Sequence, residues 1–126
     1  MSDLEEAEAW LSSSENLLES KELGRARFTV AVGQAIHAMI KANDALTMKF
    51  LKRRSSRHED ALKLFKELIA QNKIPAKYAK LRDALGDAVA DKSDFDYKGK
   101  EVGKDEAERR IRNARQFLSA VREILS

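Results

Sequence analysis

Phe28-Thr29-Val30-Ala31-Val32-Gly33-Gln34-Ala35-Ile36-His37-Ala38-Met39-Ile40-Lys41-Ala42-Asn43-Asp44-Ala45-Leu46 is the stretch that decides the fold. Phe28, Val32, Ala35, Met39, Ala42 and Leu46 recur at steps of three and four, the spacing of one face of an α-helix. Val30, Ala31, Ile36, Ala38, Ile40, Ala45 and then Phe50 fill most of the remaining circumference. A helix apolar on most sides sits in the middle of its bundle. Ala31, Gly33, Ala35, Ala38, Ala42 and Ala45 are small enough to let neighbouring helices come close. Gly33 costs up to about 1 kcal/mol against alanine in a helix interior, a loss that close packing would offset. This central helix is expected over 25–52.

The same period extends to both sides. Leu4, Ala7, Leu11, Ser14 and Leu18, widened by Trp10 and Leu17, predict a helix over 3–22. Ser2 and Glu5 have the spacing of a capping box, and Gly24 reads as the stop. Downstream, Arg53 to Arg57 with Ser55-Ser56 breaks the apolar pattern and reads as a turn. Ala61, Leu62, Phe65, Leu68 and Ile69 mark a third helix over 57–72, ended by Asn72-Lys73-Ile74-Pro75. Pro75 suits the first turn of a fourth helix over 75–91, with Tyr78, Leu81, Leu85, Ala88 and Val89 inward and Gly86 weakening it. Asp91 to Gly103 reads as a loop pinned by Phe95, Tyr97 and Val102. Ala107, Ile111, Ala114, Leu118, Val121 and Leu125 define the closing helix, with Asp105, Glu106 and Glu108 at its positive end. The expectation is an all-α protein, an antiparallel bundle of about five helices forming a single domain over 1–126.

Composition narrows the function classes. With no cysteine there is neither a disulfide framework nor thiolate chemistry. Charged residues make up 36% of the chain and no apolar run approaches the ~18 residues that would span a bilayer. The acidic start, Met1-Ser2-Asp3-Leu4-Glu5-Glu6, is unlike a signal or transit peptide, so a soluble cytoplasmic protein is expected. The net charge of +3 conceals an asymmetry. Residues 1–20 carry Asp3, Glu5, Glu6, Glu8, Glu15 and Glu19 and no Lys or Arg, whereas 49–58 carry Lys49, Lys52, Arg53, Arg54, Arg57 and His58 and no acid. The last segment adds Arg109, Arg110, Arg112, Arg115 and Arg122. Acidic and basic faces of this kind meet inside the fold or across a dimer, or the basic one meets a phosphate.

Motifs with chemistry are sparse. His37 and His58 are the only histidines, neither in a Glu-x-x-His pair, so no metal site and no cofactor is expected. No phosphate-cradling glycine loop occurs. Three constellations remain. Arg27, Gln34, His37, Lys41 and Asp44 share one face of the central helix and could form a polar groove for a phosphate and a base edge, or a satisfied seam. Lys52-Arg53-Arg54-Ser55-Ser56-Arg57-His58 offers guanidinium forks for a phosphodiester and an imidazole that titrates near neutrality, or is a solvated turn. Lys92-Ser93-Asp94-Phe95-Asp96-Tyr97 could frame a pocket against that turn or simply pin the loop.

The order of these segments resembles the HEPN family, the nucleotide-binding domain of higher eukaryotes and prokaryotes, and within it a small stand-alone archaeal and bacterial branch. The likeness is carried by the Ala/Gly-rich stretch from Phe28 to Leu46 and the basic connector ending in His58 before Leu62-Lys63-Leu64-Phe65. It continues in the Asp96-Tyr97 pair and in Asp105-Glu106-Ala107-Glu108 through Ala114-Arg115-Gln116-Phe117-Leu118. The resemblance implies a bundle of about five helices, commonly a homodimer, often paired with a minimal nucleotidyltransferase as a toxin–antitoxin module. It also implies, for many members, a metal-independent ribonuclease whose Arg and His enclose four to six residues, late in the bundle. Here that late region, Lys92 to Tyr97, has neither Arg nor His, and a tyrosine with an ordinary pKa near 10 is a poor base at neutral pH. The Arg53-x4-His58 match lies earlier and a second Arg follows Arg53. The expected function is therefore a non-catalytic HEPN-like domain that binds nucleotide or RNA phosphate and acts with a partner protein. The residues expected to bind are Lys52, Arg53, Arg54, Arg57, His58, Gln34, His37, Lys41, Lys92 and Tyr97. The alternatives are a ribonuclease toxin using Arg53 and His58, and a structural interaction module with no ligand.

Overall fold

In a computed structural model, which describes residues 2–97 and 101–126 and gives 92–97 as backbone, the chain forms five α-helices and a short 3-10 turn. Helix α1 is Asp3–Glu19, α2 is Ala26–Leu51, α3 is Asp60–Ala70, the 3-10 turn is Ala76–Lys80, α4 is Leu81–Tyr97 and α5 is Lys104–Leu125. Among the described residues there is no strand. The helical period read from the sequence sets this outcome.

Helix α1 starts where its local signal says. The Glu5 N–H donates to Ser2 Oγ at 3.1 Å and the Ser2 N–H donates to Glu5 Oε1 at 3.2 Å, so two orphan donors of the first turn are satisfied. It stops at Glu19, short of the expected residue 22, because Ser20 adopts an extended conformation. The carbonyls beyond are taken by Arg27, whose Nη1 donates to Leu23 O at 2.8 Å and Gly24 O at 3.1 Å.

Helix α2 touches each of the other four helices, the central position its circumference predicts. Ala31, Val32, Ala35, Ile36, Ala38, Met39, Ala42 and Leu46 are all buried, and α1 comes close at Ala31. There Ser14, fully buried, donates through Oγ to the Ala31 carbonyl at 2.7 Å. Val30 is the exception on α2, half exposed. The apolar stripes of α3 and α5 meet at Phe65 and Phe117, whose rings lie 6.1 Å apart. Asn43 is also fully buried, and its Nδ2 donates to the Ala61 carbonyl at 2.8 Å, tying α2 to α3.

Two expectations are corrected. The helix expected over 75–91 is two elements: Pro75 opens the 3-10 turn, and α4 begins at Leu81. The loop expected over 91–103 is helical to Tyr97. Asp91-Lys92-Ser93-Asp94-Phe95-Asp96-Tyr97 is polar but contains neither Pro nor Gly, and polarity alone does not stop a helix. Val102 does pin the connection: it is buried, and its N–H donates to Thr29 Oγ1 at 3.4 Å. The side chains of Phe95 and Tyr97 lie outside the described residues.

The acidic first helix and the basic last helix meet inside the fold. Arg122 Nε donates to Glu8 Oε1 at 2.7 Å, and Arg115 Nε to Glu15 Oε2 at 2.9 Å. The seven-residue step on each side, running in opposite directions, is that of an antiparallel pair. Among the described residues no helix is long and apolar enough to cross a membrane.

Candidate functional site

The basic turn between α2 and α3 is fixed by two carboxylates, one on each helix. Helix α2 ends at Lys52, which turns the chain in the left-handed region at φ 60 and ψ 31. Asp44, about two turns back on α2 and buried, accepts from the Ser55 N–H at 3.1 Å and from Ser55 Oγ at 2.9 Å. Asp60, the first residue of α3, accepts from Ser56 Oγ at 2.9 Å and the Arg57 N–H at 3.3 Å. The Ser56 hydroxyl, more than any other contact, holds the Asp60 carboxyl below the usual aspartate range.

With the backbone fixed this way, Arg53 and Arg54 leave the turn toward different carboxylates. Arg53 pairs through Nη2 with Glu67 on α3. Arg54 Nε donates to Asp3 Oδ2 at 2.9 Å, a contact between residues 51 apart in sequence. Each arginine side chain remains 54% exposed. Together with Lys63 they line a cleft of ≈ 250 Å³ whose other walls are Asp60, Leu64 and Glu67. Lys52 and Arg57 are exposed beside it. His58 is turned elsewhere, its Nε2 3.4 Å from Glu59 Oε2.

The polar stripe on α2 is a seam, not a groove. Gln34 Oε1 accepts from Ser13 Oγ at 3.0 Å, and His37 sits edge-on to Trp10 with ring centres 4.7 Å apart. Lys41 Nζ lies 3.5 Å from Glu6, 3.8 Å from Asp3 and 4.0 Å from Asp44. Helix α1 thus covers the face on which Gln34, His37 and Lys41 were expected to meet a ligand. Arg27, at the end of the same stripe, is used on the carbonyls after α1 and stacks over Phe28, 4.3 Å from the ring centre. Lys92 and Tyr97 belong to α4 rather than a loop, and their side chains lie outside the described residues.

Two features were missed by sequence reasoning. Lys63, on the outer side of α3, completes the cleft; nothing in its spacing separates it from a solvated lysine. Arg110 is buried on α5 and paired with Asp91 on α4. Burial lowers its affinity for the proton, and the nearby Asp87 acts against that loss. A signal for it did exist, since Ala107, Arg110, Ala114 and Phe117 keep the three-four-three step of a buried stripe. Among the described residues no three His, Asp or Glu side chains converge in a way that could hold a metal ion.

With this geometry in view, comparison with known proteins adds one finding. The family model described as HEPN domain matches residues 2–124, nearly the whole chain. No curated protein matches it.

Proposed function

We propose, for a chain that belongs to the HEPN domain family, that the α2–α3 turn binds the phosphate of a nucleotide or an RNA without catalysing its cleavage. The observation that carries this reading is the cleft in which Arg53, Arg54 and Lys63 come together. A guanidinium offers two parallel N–H groups to a phosphate, and each of these two is already oriented by one carboxylate while half its surface faces water. Lys52 and Arg57 add long-range attraction at the rim.

The non-catalytic half of the reading is supported by how the Arg and His of the turn are used. Metal-independent cleavage needs an acid or base within hydrogen-bond reach of the ribose hydroxyl or the leaving oxygen, beside the group that stabilises the phosphorane. Arg53 rests on Glu67 inside the cleft, while His58 rests on Glu59 and is not among the cleft's walls. A domain that binds but does not cut acts through another protein, and a minimal nucleotidyltransferase in a toxin–antitoxin-type pair is the partner we propose. A homodimer is part of the same proposal.

Calorimetry tests it with two separate titrants, a nucleoside triphosphate and a short single-stranded oligoribonucleotide. Heat is expected with at least one, and its loss in Arg53→Ala and Arg54→Ala; which titrant binds identifies the source of the phosphate. The oligoribonucleotide recovered afterwards is expected intact. No heat from either at millimolar concentration would leave the structural-module reading. Scission lost in His58→Ala would establish the ribonuclease reading instead.

A further inference from the structure

We infer that Asp3 is a built-in competitor for the phosphate at Arg54, so that filling the turn with ligand unfastens the first turn of α1. This rests on the phosphate site proposed above and concerns what sets its affinity. Asp3 is brought to the turn from the far end of the sequence, and the Ser2–Glu5 capping box fixes the helix end from which it reaches. Its carboxylate lies between two cations, 2.9 Å from Arg54 Nε and 3.8 Å from Lys41 Nζ, and its side chain is only 12% exposed. That is how an anion would be held, and the anion is the protein's own.

The contact is suited to exchange. Arg54 bonds Asp3 through Nε, whereas a phosphate oxygen pair takes two N–H groups of the same guanidinium and carries more charge. When Arg54, already in the cleft wall, exchanges Asp3 for a phosphate, Asp3 keeps Lys41, so no carboxylate is left buried without a cation. The contact given up belongs to an arginine that is more than half exposed, the kind whose removal changes an equilibrium by only a few-fold. Glu67 stands in the same relation to Arg53, but it lies on α3 within the cleft and so transmits nothing to α1.

The test compares the full chain with Asp3→Asn and with Glu19→Gln, using the labelled oligoribonucleotide or inorganic tripolyphosphate as probe. Glu19 is exposed at the opposite end of α1, so its variant changes net charge equally without touching Arg54. Asp3→Asn is expected to bind about threefold more tightly and Glu19→Gln to be unchanged. In the unmodified protein, amide hydrogen exchange at the first turn of α1 is expected to quicken when probe is added, a readout that needs no variant. Equal affinity in all three, equal tightening in both variants, or unchanged exchange at saturation would each overturn the inference while leaving the phosphate site standing. Absence of binding in every protein would remove the site itself, and the inference with it.

Discussion

Lys52 shows how much of the turn is settled by one residue. A side chain at φ 60 crowds its own backbone, and glycine relieves this at no steric cost. Lys52→Gly is expected to stabilise the fold by about 1 kcal/mol in urea titrations while weakening oligoribonucleotide binding. Asn72, the other left-handed residue, already tolerates that region through its short polar side chain and should gain less from the same change. Three carboxyls are lowered in the folded state. Backbone and hydroxyl bonds to Ser2 lower Glu5, the Ser56 hydroxyl lowers Asp60, and bonds from Tyr78 and then Lys77 lower Glu123. A carboxyl lowered in the folded state favours folding above its unfolded pKa, and that contribution is lost as pH falls through the folded one. Urea midpoints are therefore expected to decline below pH about 4, with a shallower decline in the Glu5→Gln, Asp60→Asn, Glu123→Gln triple variant. At this scale the capping box was legible because its two members lie three residues apart. The Arg54–Asp3 contact was not, because no local rule links residues 51 apart.

At the scale of the element, periodicity identified every helix but not every end. Helix α4 shows why: its second half has no stop signal, and its weak apolar stripe hid its continuation to Tyr97. Gly86 lies in its interior, and a Cβ there would meet Leu62 Cδ2 at 3.5 Å, an ordinary contact. Gly86→Ala is expected to raise stability by about 0.5–1 kcal/mol, read as a higher urea midpoint with an unchanged slope. The polar stripe of α2 was read correctly as one face, yet its neighbour could not be read, since spacing tells which side chains align and not what lies opposite. Helix α1 lies opposite. The ion pairs it makes with α5 are exposed, so a double-mutant cycle on Glu15 and Arg115 should return under about 1 kcal/mol of coupling. A larger value would mean that the charges, more than the apolar seam under them, hold the two helices.

For the molecule as a whole, the all-helical architecture followed from composition and period together, and so did the meeting of acidic and basic segments, but not which residues pair. The basic turn has no acid of its own, and carboxylates from α1 and α3 reach it in space. Binding of an oligoribonucleotide should accordingly weaken with added salt, with a log–log slope of about −1 to −3 rather than the steeper slope of a protein meeting many phosphates. Light scattering should give twice the 14.2 kDa chain mass if the proposed homodimer forms. The clasp of Glu8 and Glu15 on Arg122 and Arg115 joins α1 to an element made well after it. While a ribosome is still extending the chain, α1 and α2 are free to pair, but the flank of α2 reserved for α5 stays bare and oily. Aggregation is thus expected to threaten most in the interval between the emergence of that hairpin and the emergence of α5 from the exit tunnel.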